Sequence, residues 1–273
     1  MPPPADPTSS PPAHAHLTVA LSTPTPRISL SQPSDAPDAL QLILTARVAS
    51  ATSPTQPITF LTNGSVLDNG NHARHGSLFR GSFPLLRSVD DPTRKIVLAS
   101  GMKVNYGRYP DGTSEDLREQ AWNRFETVWP RGEGAHDGQG GNEAGEEGGN
   151  GLSITQSVSL DRIFQYSGPS KGYGGLTQAD VRPGEKFNVC VNKKMLRGNG
   201  GWWAFGSMDE GGELHGKKFI MLENGMDGED EQDEKAAEKE RRERDGWVYS
   251  EMMDDLKIAA EEGMDEVVVE FVE

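Results

Sequence analysis

The stretch that most constrains this chain covers residues 176–205, LTQADVRPGEKFNVCVNKKMLRGNGGWWAF. Within it, Arg182-Pro183-Gly184-Glu185 predicts a type II turn: proline fixes φ at the second position and glycine supplies the positive φ needed at the third. Phe187, Val189 and Val191 then alternate with Lys186, Asn188, Cys190 and Asn192, the period of a strand with one apolar face. A loop of Lys, Arg, Asn and Gly follows over 193–201, and Trp202-Trp203-Ala204-Phe205 opens another strand. Such a chain folds by pairing strands.

The pattern recurs. Strands are expected at 16–21, 40–48, 58–61, 152–164, 219–222 and 266–272, with shorter candidates at 85–89, 95–98 and 103–106. Asn63-Gly64 closes the 58–61 segment as a turn. The apolar 266–272 segment would be an aggregation hazard if free, so it is expected to pair into the main sheet. Helical spacing is read at 114–129, where Ser114 is the N-cap and Leu117, Ala121, Phe125 and Val128 form a stripe. A second helical stripe, Met252, Met253, Leu256, Ala259 and Ala260, lies within 250–262. The fold class is therefore mainly β, a β-sandwich of about nine strands with one or two helical insertions.

Composition sets the boundaries. Only 34% of the residues are hydrophobic, and the chain holds 32 glycines and 18 prolines, too polar for two full cores. One folded domain over 16–273 is expected, after a disordered Pro-rich tail at 1–15. Two insertions interrupt it. Residues 132–150 hold eight glycines and five acids and are read as disordered. Residues 227–245 hold ten acids and five bases, with Glu231/Lys235, Glu238/Arg242 and Glu240/Arg244 at i,i+4, and suit a solvated helix.

A net charge of −15 argues against nucleic acid and anionic membranes as partners. The single cysteine, Cys190, permits no intrachain disulfide. The N-terminal segment lacks a basic n-region and an apolar h-region, and no run of about 18 apolar residues exists. A soluble, cytoplasmic protein is expected.

The turn, the strand after it and its Trp-bearing neighbour resemble the later strands of immunoglobulin-like domains, over about 30 residues. The Pro/Ala/Ser-rich tail and the Gly/Glu-rich insert are similar in style to uncharacterised immunoglobulin-like β-sandwich proteins of filamentous fungi. That resemblance implies a sandwich fold and carries no functional residues.

Chemical motifs are sparse. There is no Gly-x-Ser-x-Gly elbow, and Cys190 has no base beside it in sequence to activate a thiol. His72 and His75 lie near Asp68 on one polar segment, but Arg74 between them would repel a cation. The run Asp68-Asn69-Gly70-Asn71 lacks the later bidentate acid of a calcium loop. No glycine-rich segment has the strand–loop–helix context of a phosphate cradle. Acid pairs such as Asp90-Asp91 and Asp254-Asp255 are uninformative among 42 acids. No cofactor or metal is expected.

The aromatic residues are the remaining lead. Trp202 and Trp203 must point to opposite faces of a strand. An exposed indole with Tyr166, Tyr173 and the 167–175 loop would bind a sugar or peptide; alternatively, the 250–262 segment covers it. Three readings follow. The first is a non-enzymatic intracellular interaction or scaffolding module that binds another protein through a strand edge or loop face. The others are a ligand-binding sandwich and an enzyme of unrecognised type.

Overall fold

A computed structural model describes residues 13–36, 38–63, 65–68, 83–98, 116–119, 123–130, 151–168, 174–196, 202–220, 229–250 and 255–273. The predicted segments 103–106 and 132–150 lie outside them. Among the described residues fourteen strands run in chain order: β1 (Ala15–Ser22), β2 (Arg27–Ser29), β3 (Leu40–Ala51), β4 (Ile58–Leu61), β5 (Leu85–Ser88), β6 (Lys95–Val97), β7 (Phe125–Val128), β8 (Leu152–Val158), β9 (Lys186–Cys190), β10 (Trp203–Phe205), β11 (Lys218–Ile220), β12 (Trp247–Tyr249), β13 (Leu256–Ala260) and β14 (Glu266–Val272). A helical turn, α1 (Leu160–Ile163), follows β8, and a longer helix, α2 (Glu229–Arg244), joins β11 to β12. The chain is mainly β.

Two sheets carry most of the structure, a four-stranded one ordered β13-β1-β3-β8 and a five-stranded one ordered β2-β14-β9-β5-β6. Alternation decides what each buries. Leu17, Val19 and Leu21 of β1, Leu40, Leu42 and Leu44 of β3, and Ile154 and Val158 of β8 face inward. From the other sheet come Ile28, Leu86, Ile96, Phe187, Val189, Val269 and Phe271, and the two rows join one continuous apolar core. Burial of this apolar surface is the main favourable term in the fold.

The Pro-Gly turn is as predicted. Gly184 has φ of +89°, and the Glu185 N–H donates to the Arg182 carbonyl at 3.1 Å. The turn is anchored to β14, because the Gly184 N–H donates to the Phe271 carbonyl and the Phe271 N–H to that of Glu185. The Glu185 carboxylate also accepts from Arg94 at 2.8 Å, tying the turn to the β5–β6 hairpin. As expected, β14 enters the main sheet, between β2 and β9.

Several expectations are corrected. Fourteen strands lie among the described residues rather than about nine, because three-residue strands such as β2 and β12 are too short to show a period and β7 and β13 were read as helices. Order begins before residue 16: β1 starts at Ala15, and the His14 carbonyl accepts from the Thr52 N–H at 2.9 Å. The 152–164 segment is strand only as far as Val158 and then turns helical.

The described part of the predicted 114–129 helix is a 3₁₀ turn at Leu117–Glu119 and strand β7. Phe125, Thr127 and Val128 favour a strand, and β7 pairs with β4 along its whole length. The predicted 250–262 helix holds strand β13, parallel to β1. Its weak stripe depended on two alanines, and Ile258 finds a buried place on a sheet instead. The 227–245 segment contains the helix α2, as the charge spacing suggested, with Glu238 accepting from both Arg241 and Arg242.

Three long connections meet at one end. A third sheet, ordered β10-β4-β7, takes β4 from the β3–β5 connection, β7 from the β6–β8 connection and β10 from the β9–β14 connection. One face, with Ile58, Phe60, Val128 and Trp203, joins the main core. The other, with Leu61, Trp202 and Ala204, builds a second cluster with Leu117, Leu214 and Phe219.

Candidate interaction surface

Trp202 and Trp203 point to opposite faces, as alternation requires, and each is only 1% exposed. The exposed indole on which a sugar or peptide site depended is therefore not present. Trp203 lies in the main core, edge-on to Phe205 at 5.4 Å, and its backbone N–H donates to Ser250 Oγ. No described residue of the 250–262 segment belongs to the cluster around Trp202. Instead, the indole stacks on Phe219, with ring centroids 4.2 Å apart and planes 14° apart, and meets Phe125 edge-on at 5.4 Å. Its N–H is buried without an acceptor among the described residues. Tyr166 is half-buried beside Ser167, whose hydroxyl accepts from the Val97 N–H at 2.8 Å. Tyr173 lies outside the described residues.

The second cluster is held by one carboxylate. Asp116 accepts from the Phe219 N–H at 3.0 Å and from the Arg118 Nη2 at 2.8 Å and Nε at 3.2 Å. The guanidinium in turn lies 5.1 Å from the Phe219 ring centroid, a cation–π distance. Burial pulls the Asp116 pKa up, but the Arg118 side chain and the Phe219 amide pull it down further, leaving it below the ordinary value.

The opposite case is Glu126, half-buried on β7. Burial first, and then the negative charge of the buried Asp68, hold its carboxyl above the usual glutamate value, against the pull of Arg124. A raised folded-state pKa means that ionisation costs the fold: the stabilising protonated form prevails below the unfolded value of about 4.5 and is lost as pH rises through the folded one. Glu126→Gln is accordingly expected to raise stability by about 1 kcal/mol at about pH 7.5. Thermal melts at about pH 4 should show the gain gone; an unchanged gain there would remove titration as its cause.

His72 and His75 lie outside the described residues, and among the described ones no group of three or more His, Cys, Asp or Glu is placed to hold a metal ion. The Cys190 thiol is exposed, and burial of its surroundings, with the Glu266 carboxylate it donates to at 3.5 Å, pushes its pKa up. That is opposite to what nucleophilic thiol chemistry requires.

Surface charge separates the two main sheets. The outer row of the five-stranded sheet carries Arg27, Arg87, Lys95, Lys186, Glu266 and Glu270. The outer row of the four-stranded sheet includes Thr18, Ala20 and Ser22 on β1, Gln41, Ile43 and Thr45 on β3, and Ser153, Thr155 and Ser157 on β8, with His16 at the near end of β1. Charge returns only toward one corner, with Lys257 and the Arg47–Glu261 pair at 3.9 Å. In a chain with 25% charged residues, nine adjoining outward positions without charge mark a surface unlike the rest, since interface centres are depleted in charge. Sequence reasoning passed over these residues. Their signal was visible as polar rows of Ser, Thr, Ala and Gln on three strands, but only the sheet order brings the rows together.

No protein-family model, no curated protein and no solved structure matches this chain.

Proposed function

We propose that this chain is an immunoglobulin-like β-sandwich that works as a non-enzymatic intracellular interaction module, binding a protein partner across the outer face of its four-stranded sheet. Strand order supports the fold. Within the five-stranded sheet the antiparallel run β14-β9-β5-β6 is consistent with the G-F-C-C′ order of variable-type domains, and β2 adds a strand parallel to β14. The order β1-β3-β8 is consistent with A, B and E, with no strand in the place of D among the described residues. The three connections that build the extra sheet then correspond to the loops at the recognition end of such domains. Apolar residues stand in the inward rows of β3 and β9, where antibody domains carry their disulfide.

The observation that carries the functional reading is the uncharged outer face of Thr18, Ala20, Ile43, Thr45 and Thr155. A flat sheet face with an available edge binds proteins by strand addition or face packing. The test is affinity capture from native extract with the full chain and an Ile43→Lys variant shown by circular dichroism to be folded. A partner held by the native chain and lost by the variant supports the reading. Equal retention by both would place the binding surface elsewhere.

A further inference from the structure

We propose that a second copy of the chain binds at the rim of this surface, joined through antiparallel pairing of the two β8 edges across a two-fold axis; this rests on the interaction reading above. Strand β8 is the outermost strand of the four-stranded sheet and runs for seven residues. Among the described residues its backbone groups bond only to β3, so every second N–H and C=O points outward without a partner. Edges of this kind are templates for strand addition, and proteins ordinarily block them with charge, proline or a bulge. β8, Leu-Ser-Ile-Thr-Gln-Ser-Val, has no charge or proline, and its register with β3 runs without a shift.

The other edges contrast with it. β13 carries Lys257, β7 carries Glu126, β2 carries Arg27 and β6 carries Lys95. In the two-stranded sheet β11 carries Lys218; β10 and β12 are uncharged but have only three residues each. Among the described strands of four or more residues at a sheet edge, only β8 is uncharged, and no described residue pairs with its outer side.

Charge then selects the occupant. Two copies, each at −15, can approach only where like charges do not face one another. In an isologous antiparallel pair the residue on the two-fold axis meets its own copy, and every other residue meets the one equally far beyond the axis, so a charge on the axis would face a like charge. Centred on Thr155, the register sets Thr155 against Thr155 of the second copy, Ser153 against Ser157, Ile154 against Gln156 and Leu152 against Val158. Every pair is neutral, the three hydroxyl residues stay on the exposed face, and the two four-stranded sheets become one of eight. Edge pairing of seven residues buries little area, so the dimer is expected to be weak, with a Kd of about 1–100 µM.

Sedimentation velocity of the full chain from about 1 µM to about 500 µM tests this, with hydrogen exchange read on the β8 amides. Thr155 is exposed, so Thr155→Lys and Thr155→Glu should each fold, and each puts two like charges face to face on the axis. Each is expected to raise the dimer Kd by about tenfold or more, and mixing the two variants should restore the dimer as a heterodimer. β8 amide protection should rise with concentration in the native chain. A native chain that stays monomeric throughout overturns the proposal, as does a dimer indifferent to Thr155→Lys. A monomer with fully protected β8 amides would place another segment of the same chain on the edge, and also overturns it. A monomer that captures a different protein through the Ile43 face overturns self-pairing while leaving the interaction reading intact.

Discussion

Phe187→Ala is expected to lower the unfolding free energy by about 3–5 kcal/mol and the melting temperature by about 6–20 °C. Phe187 is fully buried on β9, at the centre of the five-stranded sheet, between Val269 of β14 and Ser88 of β5. Its ring meets Phe271 edge-on, with centroids 5.4 Å apart and planes at 88°, an arrangement that adds to area burial. Phe164, after α1, leans on the same Phe271 ring at 5.9 Å, so truncation leaves a void that sheet, turn and helix cannot all close together. Val268→Ala is the control: Val268 lies on the outer face of β14, 48% exposed, and should change stability by no more than about 0.5 kcal/mol. Urea unfolding of the two variants decides the matter. Similar midpoints would mean that this row is not the shared core of the two large sheets.

Residues around Phe187 were also the most legible in the sequence. Gly184 had to take positive φ after Pro183, and the alternation that follows fixed which side chains of β9 point inward. β1, β3 and β14 were equally readable, since each repeats one face over seven residues or more. Legibility failed where periods coincided. Leu117, Ala121, Phe125 and Val128 do fall on a helical stripe, yet Phe125 lies in a strand because β4 offers it a partner more than 60 positions earlier in the chain. Leu256 and Ile258 were lost to the same ambiguity, and the partner that settles it is β1, at the other end of the chain. The two tryptophans show where local reasoning stops. Alternation placed their indoles on opposite faces, but Phe219 and Phe125, which cover Trp202, come from separate connections that no local pattern joins. The uncharged face was hidden for the same reason: Ser22, Ile43 and Thr155 are unremarkable singly, and become a surface only when β1, β3 and β8 lie side by side.

Asp116→Asn is expected to cost about 2–3 kcal/mol at neutral pH, although the side chain scarcely changes size. Asp116 is 5% exposed and serves donors on two elements, the Arg118 guanidinium and main chain of its own turn and the Phe219 N–H on β11. An amide has a single acceptor oxygen, so either the guanidinium or the buried Phe219 N–H loses its partner. The guanidinium is partly hydrated, which tempers the loss; the strand amide has no such outlet. The effect should spread, because Arg118 lies over the Phe219 ring, Phe219 stacks on Trp202, and Trp202 accepts the Leu61 N–H through its carbonyl at 2.9 Å. Near-ultraviolet circular dichroism should therefore report the stack loosening together with the fall in stability. The pH dependence separates charge from packing. With the folded-state pKa below the ordinary 3.8, the carboxylate's contribution is present above about pH 3.8 and is lost as pH falls through the folded value. Urea midpoints of native chain and variant should stand apart at about pH 7 and draw together at about pH 2.5. A gap that persists unchanged into acid would mean that shape, rather than the carboxylate's charge, holds the second cluster to its sheet.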